Sequence, residues 1–327
     1  MGMLINGNWS EEDRTIEAGA YVRAASPITG SRGLGECPGR FWLIASKSCP
    51  WSHRAVLVHG LKGLGDLIPV HFAHGPRVEG YAANGGKPWK VPGAAKTVRH
   101  LHQLYSLHEA TYSGRVTVPV LWDCVDQKIV SNDSADILRL FDGLANRRGR
   151  DFTLRPAALS REIDAANEVV YQGLNNAVYR AGFAHAQDAY ETAVNEVFET
   201  LDRLEKRLRT SRYYFGAMLT ETDLRLFPTL VRFDAVYHIL FKCCLRRLAD
   251  YPNLWAYARD LYSWAGVAET VDLEVIRQAS YVADTSDPHP IVAVQPDLDW
   301  TSPHGRELFG MACLIARDGE SFAAEPG

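Results

Sequence analysis

Apolar residues first run together at positions 41–45, Phe-Trp-Leu-Ile-Ala, a length and composition that predict a short buried strand. Upstream, residues 1–40 are rich in Gly, Ser, Pro and charge and hold no sustained period, so an arm over the surface of the first domain is expected there, with no core of its own. After the strand, Ser46-Lys47-Ser48 breaks the run and Pro50 stands where a first helical turn accepts it. Residues 51–63 then place Val56, Leu57 and Leu61 on one helical face, stopped by Gly63 and Gly65. A second strand is expected at 68–73. Residues 75–113 are Gly-rich, aromatic and irregular, long enough to be suspected as a functional insertion. Strands at 116–122 and 128–130 flank a tight turn at 123–127, and a helix begins at Ser134 with Ile137, Leu138 and Phe141 on one face and Asn132-Asp133-Ser134 as its caps. From about 156 the strand signals vanish. Helical spacing takes over, as in 190–208, and Thr220-Glu221-Thr222-Asp223 offers a cap to a buried helix, a role in folding and not in chemistry. Residues 284–305 are rich in Pro, Asp and His and are expected to form an extended tail over the domain surface or a partner subunit.

The order strand, helix, strand, insertion, strand, strand, helix is thioredoxin-like. It divides the chain into an arm (1–40), an α/β thioredoxin-like domain (41–150) and an all-α domain with a C-terminal extension (151–327). Composition agrees with two cores: 46% of residues are hydrophobic and 23% charged. A net charge of -4, with 35 basic and 39 acidic residues interspersed, provides no broad field for nucleic acid or a membrane surface. The first residues lack a basic and apolar leader, and no apolar run is long enough to span a bilayer, so a cytoplasmic protein is expected. The six cysteines show no metal spacing and no disulfide framework, and no metal is expected.

One cysteine stands apart. Cys49 lies at the start of a helix, where unpaired N–H groups and the positive end of the dipole favour thiolate over thiol. In Cys49-Pro50-Trp51-Ser52 the position of a resolving cysteine is a serine, so the site is monothiol and a mixed disulfide on Cys49 must be resolved by an external thiol, for which glutathione is the cytosolic candidate. His53 and Arg54 either add positive charge or lie solvated on the helix. Pro119, inside a strand, has a positional reason: in thioredoxin-like proteins the equivalent peptide is cis and frees the preceding residue, here Val118, to pair with the backbone of a thiol peptide. Asp133 and Ser134, at a helix N-terminus, suit the ammonium and the carboxylate of a γ-glutamyl group. An edge-strand proline and simple helix caps are the structural alternatives.

The stretches SCPWSHR (48–54), YSGRVTVPVLWD (112–123), IVSNDSADI (129–137), GLNNAVYRAGFA (173–184), LTETDLRLFPTLVRFDAVYH (219–238) and DYPNLWAYARDLY (250–262) resemble the glutathionyl-hydroquinone reductases, or Xi-class glutathione transferases. The resemblance implies a glutathione transferase fold. It also implies a reaction in which Cys49 takes glutathione from a glutathionyl-hydroquinone and a second glutathione regenerates the thiol. It places Trp51, Tyr81, Arg115, Val118, Asp133 and Ser134 around glutathione, Arg115 as a cation for its carboxylates. Tyr179 and Tyr281 become hydroxyl donors to the aromatic, Tyr237 part of the pocket wall, and the protein a homodimer. The chain departs from the family pattern at Ser52 (usually Ala), Asp133 (usually Glu), Tyr81 (usually Trp), Ala279-Ser280-Tyr281 (usually His-Tyr-Tyr) and Asp287-Pro288-His289-Pro290-Ile291, leaving Ser280 or Tyr281 for the second pocket hydroxyl. Two other functions fit the same fold: a transferase in which glutathione itself attacks an aromatic electrophile or cleaves an ether, Ser48 or Ser52 giving the hydroxyl, and a noncatalytic glutathione-fold binding protein.

Overall fold

The computed structural model describes residues 2–12, 15–30, 34–35, 37–282, 290–295 and 297–324. These fall into two compact units. The first comprises residues 1–15, 24–144 and 274–292, and the second residues 16–23, 145–273 and 293–327, where described.

The N-terminal residues differ from the coreless arm expected of them. β1 (Met3–Ile5) and β2 (Asn8–Ser10) form an antiparallel hairpin whose turn, Asn6-Gly7, takes positive φ at both positions, as a two-residue hairpin turn requires. Leu4 is completely buried. A second hairpin, β3 (Ile16–Glu17) with β4 (Ala20–Tyr21), belongs to the second unit, where the Gly19 carbonyl accepts from the His185 N–H at 2.8 Å. Strands of two or three residues are too short to show a period in sequence.

The core of the first unit is built as the hydrophobic pattern predicts. β5 (Phe41–Ala45) leads into α1 (Pro50–Leu61) and then β6 (Val70–Phe72). The insertion follows, an ordered structure in its own right: the hairpin of β7 (Trp89–Lys90) and β8 (Thr97–Val98), then α2 (His102–His108), then β9 (Gly114–Arg115), which pairs with β1. β10 (Val120–Asp123), β11 (Lys128–Ser131) and α3 (Ser134–Asp142) complete the unit. The sheet runs β11-β10-β5-β6, with β5 and β6 parallel and the other pairs antiparallel. Consequently the end of β5, the end of β6, the start of β10 and the end of β11 emerge along one edge. α1 and α3 are joined by Lys62, fully buried, whose Nζ donates to the Asp142 and Leu144 carbonyls at 2.8 Å each and lies 3.6 Å from Oδ1 of Asp142. In the insertion, His71 stacks on Trp89 with centroids 4.1 Å apart and meets the Ala83 carbonyl at 2.8 Å. Burial holds His71 below its ordinary 6.5 and acts the same way on His100 and His108.

The second unit is helical: α4 (Ser160–Val170), α5 (Ala177–Gly182), α6 (Gln187–Arg207), α7 (Glu221–Arg232) and α8 (Pro252–Tyr262). π-helical turns at Tyr171–Asn175 and Phe233–Tyr237 extend α4 and α7. α9 (Leu273–Tyr281) belongs to the first unit from Glu274 onward. Thr220 and Asp223 make the expected capping box. Asp223 is completely buried and accepts from Tyr214 N–H, Thr220 and the Tyr257 hydroxyl, and burial pushes its carboxyl above the ordinary range. Beside it, Arg212 makes a buried bidentate pair with Asp260 at 2.7 and 2.9 Å. The C-terminal segment clasps this unit. The Arg306 guanidinium, 1% exposed, donates to the backbone carbonyls of Leu208, Ser211, Arg212 and Asn253, and β12 (Cys313–Ile315) pairs with β13 (Ser321–Ala323). Of the divergent stretch noted in sequence, Asp287, Pro288 and His289 lie outside the described residues. Among the described residues no helix is long and apolar enough to cross a membrane.

Two outcomes follow from these contacts. Lys62→Met removes a buried cation from two carbonyls and a carboxylate and is expected to lower stability by about 3 kcal/mol, read as an earlier midpoint in chemical denaturation. Histidines whose folded pKa is depressed bind protons more readily when unfolded, so stability is full above their ordinary 6.5 and falls as pH drops through it. The thermal midpoint should therefore drop between pH 7.5 and 5.5, and His71→Gln should flatten that drop.

Candidate functional site

The site is assembled along the edge of the four-stranded sheet where β5, β6 and β11 end and β10 begins. Cys49 is the N-cap of α1, in extended conformation, with Pro50 at the first helical position and no acidic residue in the first turn. The first-turn N–H groups of a helix lack intrahelical partners, so they and the dipole present positive potential to its sulfur. Cys49 is 6% exposed, and its Sγ lies 3.5 Å from the Val118 carbonyl, to which the thiol donates. The Val118–Pro119 peptide is cis, as a thioredoxin-like fold leads one to expect. Among the described residues no other group bonds the Val118 carbonyl and none bonds its N–H, so both are open to an extended peptide. The loop is held from behind by Tyr105 of α2, whose hydroxyl donates to the Thr117 carbonyl at 2.9 Å and accepts from Asn132 Nδ2 at 3.2 Å.

Ser52, in the place of a resolving thiol, is completely buried, and its Oγ accepts from the Ser46 N–H at 3.2 Å, bracing the turn that carries Cys49. His53 and Arg54 differ from the solvated reading: both are 3% exposed, and the Arg54 guanidinium lies 4.5 Å over the buried ring of Trp51. Cys243, buried, and Cys124, half-buried, are poor nucleophiles, since desolvation pushes them up to about 12 and about 11.

At the start of α3, Asp133 caps the helix. Its Oδ1 accepts from the N–H groups of Ala135 and Asp136 at 2.9 Å each. Among the described residues nothing bonds Asp133 Oδ2 or the Ser134 hydroxyl. The helix cap and a ligand site are thus compatible. One carboxylate oxygen and the Ser134 N–H and hydroxyl together offer an acceptor for an ammonium and donors for a carboxylate, the two charges of an α-amino acid.

Sequence reasoning missed one member of this neighbourhood. Arg77, in the insertion, donates from Nη2 to the Ser48 hydroxyl and to the Tyr81 hydroxyl, each at 3.3 Å, and its guanidinium carbon lies 4.4 Å over the Tyr81 ring. Ser48 in turn shares a 3.0 Å hydrogen bond with Ser46. Arg115 is placed by β9 in register with Met3. Tyr281 ends α9, half-buried, while the neighbouring Ser280 hydroxyl is spent on its own helix, donating to the Ile276 carbonyl at 2.6 Å.

In the second unit, the rings of Tyr179 and Tyr237 lie with centroids 6.1 Å apart, in an aromatic cluster with Phe183 and Phe241. Gly182 permits the close approach of Phe241: a Cβ there would fall 2.3 Å from the ring. Tyr237 closes one of the π-helical turns, a distortion that recurs at functional sites.

Against known proteins, residues 48–144 match the glutathione S-transferase N-terminal domain family and residues 187–260 the glutathione S-transferase C-terminal domain family. The chain is 40% identical to the glutathionyl-hydroquinone reductase YqjG of Escherichia coli K12, covering 94% of this chain and 99% of that one. It is 41% identical to the glutathionyl-hydroquinone reductase PcpF of Sphingobium chlorophenolicum, covering 90% and 96%. The glutathione-bound structure of YqjG superposes with a TM-score of 0.80 over 94% of this chain and 99% of its own. A Xi-class transferase from Natrialba magadii, 36% identical, reaches 0.83 over 94% and 97%.

Proposed function

Because the chain belongs to the glutathionyl-hydroquinone reductases, the Xi class of the glutathione S-transferase family, we propose that it reduces glutathionyl-hydroquinones, or related glutathionyl-aromatics, to the free hydroquinone through Cys49. The observation that carries the reading is the Cys49 sulfur at the head of α1, facing the Val118 backbone at 3.5 Å.

In this reading the γ-glutamyl end of the conjugate is taken at α3, its ammonium by Asp133 and its carboxylate by Ser134. Val118 pairs with the cysteinyl backbone and brings the glutathionyl sulfur over Cys49, with Trp51, Tyr81 and Arg115 completing the glutathione site. The Cys49 thiolate attacks that sulfur. The sulfur–aryl bond breaks, its electron pair passes to the ring carbon, and that carbon takes a proton, giving the hydroquinone and a Cys49–glutathione disulfide. A second glutathione thiolate then attacks the glutathionyl sulfur, releasing glutathione disulfide and the Cys49 thiolate. Ser52 cannot substitute for that thiol, because a hydroxyl does not undergo thiol–disulfide exchange; its oxygen instead accepts from the Ser46 N–H and braces the turn. Tyr179 and Tyr281 serve as hydroxyl donors to the aromatic oxygens as charge builds on the ring, with Tyr237 in the wall. The occupied Ser280 hydroxyl favours Tyr281 for the second donor. The reaction requires no metal. A cytoplasmic homodimer completes the reading.

Mass spectrometry after incubation with a glutathionyl-hydroquinone should find one glutathione on Cys49. Cys49→Ala should abolish hydroquinone release, and wild-type release by that variant would overturn the mechanism. A Cys49→Ser protein that gains conjugation of aromatic electrophiles would instead favour the transferase chemistry. Asp133→Asn and Ser134→Ala are each expected to raise the glutathione concentration at half-maximal rate about tenfold, the effect of losing one charge-assisted hydrogen bond, with a smaller change in kcat.

A further inference from the structure

We propose that Arg23 stabilises the negative charge that builds on the aromatic leaving group, acting as a positioning residue beside Tyr179; the role rests on the reductase reading given above. Arg23 follows β4, and the β3–β4 hairpin is built onto the aromatic cluster of the second unit. The turn residues Ala18 and Gly19 have φ of 47° and 81°, the two positive angles of a two-residue hairpin turn. Gly19 comes so close to the start of α6 that a Cβ would fall 2.6 Å from that of Ala186, and its carbonyl takes the His185 N–H. The buried Tyr21 ring packs 5.4 Å from Phe183, Val22 points to solvent, and the guanidinium carbon of half-buried Arg23 then lies 5.8 Å from the centre of the Tyr179 ring. A cation over an aromatic ring at a half-exposed place adds little to stability. The hairpin is held by the glycine wedge and by Tyr21, so holding it is not what Arg23 is placed to do.

The reaction supplies the need for a charge. When the sulfur–aryl bond breaks, its electron pair passes to the ring carbon, and the negative charge spreads over the ring and its oxygens until that carbon takes a proton. The barrier therefore depends on the positive potential around the aromatic. Tyr179 brings a hydroxyl dipole, and its ring neighbours Phe183, Tyr237 and Phe241 bring no charge at all. A guanidinium is charged at every working pH, and beside apolar rings its field is screened less than in bulk water. Arg23 gives and takes no proton in this scheme. It acts through space, and through Tyr179, since a cation beside a phenol strengthens the O–H as a hydrogen-bond donor.

The test is single-turnover release of the hydroquinone by the full-length protein in excess and without added glutathione, which isolates the first step from regeneration of Cys49. Wild type, Arg23→Gln and Arg23→Lys are compared on glutathionyl-hydroquinones whose ring substituents run from electron-donating methyl to electron-withdrawing acetyl. Arg23→Gln is expected to release the methyl compound about tenfold more slowly at saturation, a smaller loss than that of a donor in direct contact with the charge, while the half-saturating concentration is unchanged. The deficit should shrink toward the acetyl compound, which carries its own charge best, and Arg23→Lys should recover part of the rate. Calorimetric affinity for S-methylglutathione, which has no aromatic group, should be the same in all three. Arg23→Met, whose stem packs alike, serves if Arg23→Gln melts early and should give the same substituent dependence. A uniform loss across the series, or weaker binding of S-methylglutathione, would make Arg23 a prop for the hairpin and overturn the assignment. Wild-type rates in both uncharged variants would remove the assignment and leave the reductase reading standing, whereas a wild type that releases no hydroquinone ends the reading and the assignment together.

Discussion

Everything at this site depends on one sulfur being held between the head of a helix and a piece of backbone that has left its sheet. Val118 precedes a cis proline, so it stands outside the ladder that begins at Val120, and its carbonyl faces Cys49 instead of a strand. α1 supplies the positive field, the proline removes the competing partner, and the Ser52–Ser46 bond keeps the turn between them closed. Each of these is a backbone device. The proline and Ser52 matter here because they permit the backbone arrangement around the cysteine.

The devices that hold this edge come from distant parts of the first unit. Tyr105 reaches from the insertion to the residue before Val118, the Asn132 side chain meets both Tyr105 and the N–H of Ile28, and the Asp136 carboxylate takes the Gly30 N–H. The insertion and the N-terminal residues thus support the loops that a bare four-stranded sheet would leave flexible. Lys62 does the same at the opposite ends of α1 and α3, fixing the two helices whose N-termini carry Cys49 and Asp133.

Much of this was legible in the sequence because the signals are local. The run 41–45, the proline after Cys49, the proline that interrupts the apolar run 116–122, where the strand itself starts only at Val120, and the Asp-Ser pair before an amphipathic helix each declare their conformation within a few residues, and α3 starts at Ser134 as its caps predict. The Tyr179–Tyr237 contact was legible only through resemblance, since nothing in the spacing of two residues on separate helices reveals that their rings meet. What escaped were features made by chain crossing. The β1–β2 hairpin is three residues per strand and finds its third strand at Gly114–Arg115, more than a hundred residues away. The insertion reads as irregular because its order comes from a histidine–tryptophan stack and glycine contacts, neither of which has a period. Arg77 is one arginine in a glycine-rich stretch, and only its neighbours Ser48 and Tyr81 distinguish it.

The Arg306 clasp bears on how the molecule is made. The carbonyls of Leu208, Ser211 and Arg212, which follow α6, find their donor nearly a hundred residues downstream. During synthesis the helices of the second unit therefore leave the ribosome with that corner unsatisfied, and it can close only after Arg306 has been made. A chain ending before Arg306 would hold α4 to α8 and still leave the carbonyls of Leu208, Ser211 and Arg212 without the guanidinium that ties them together.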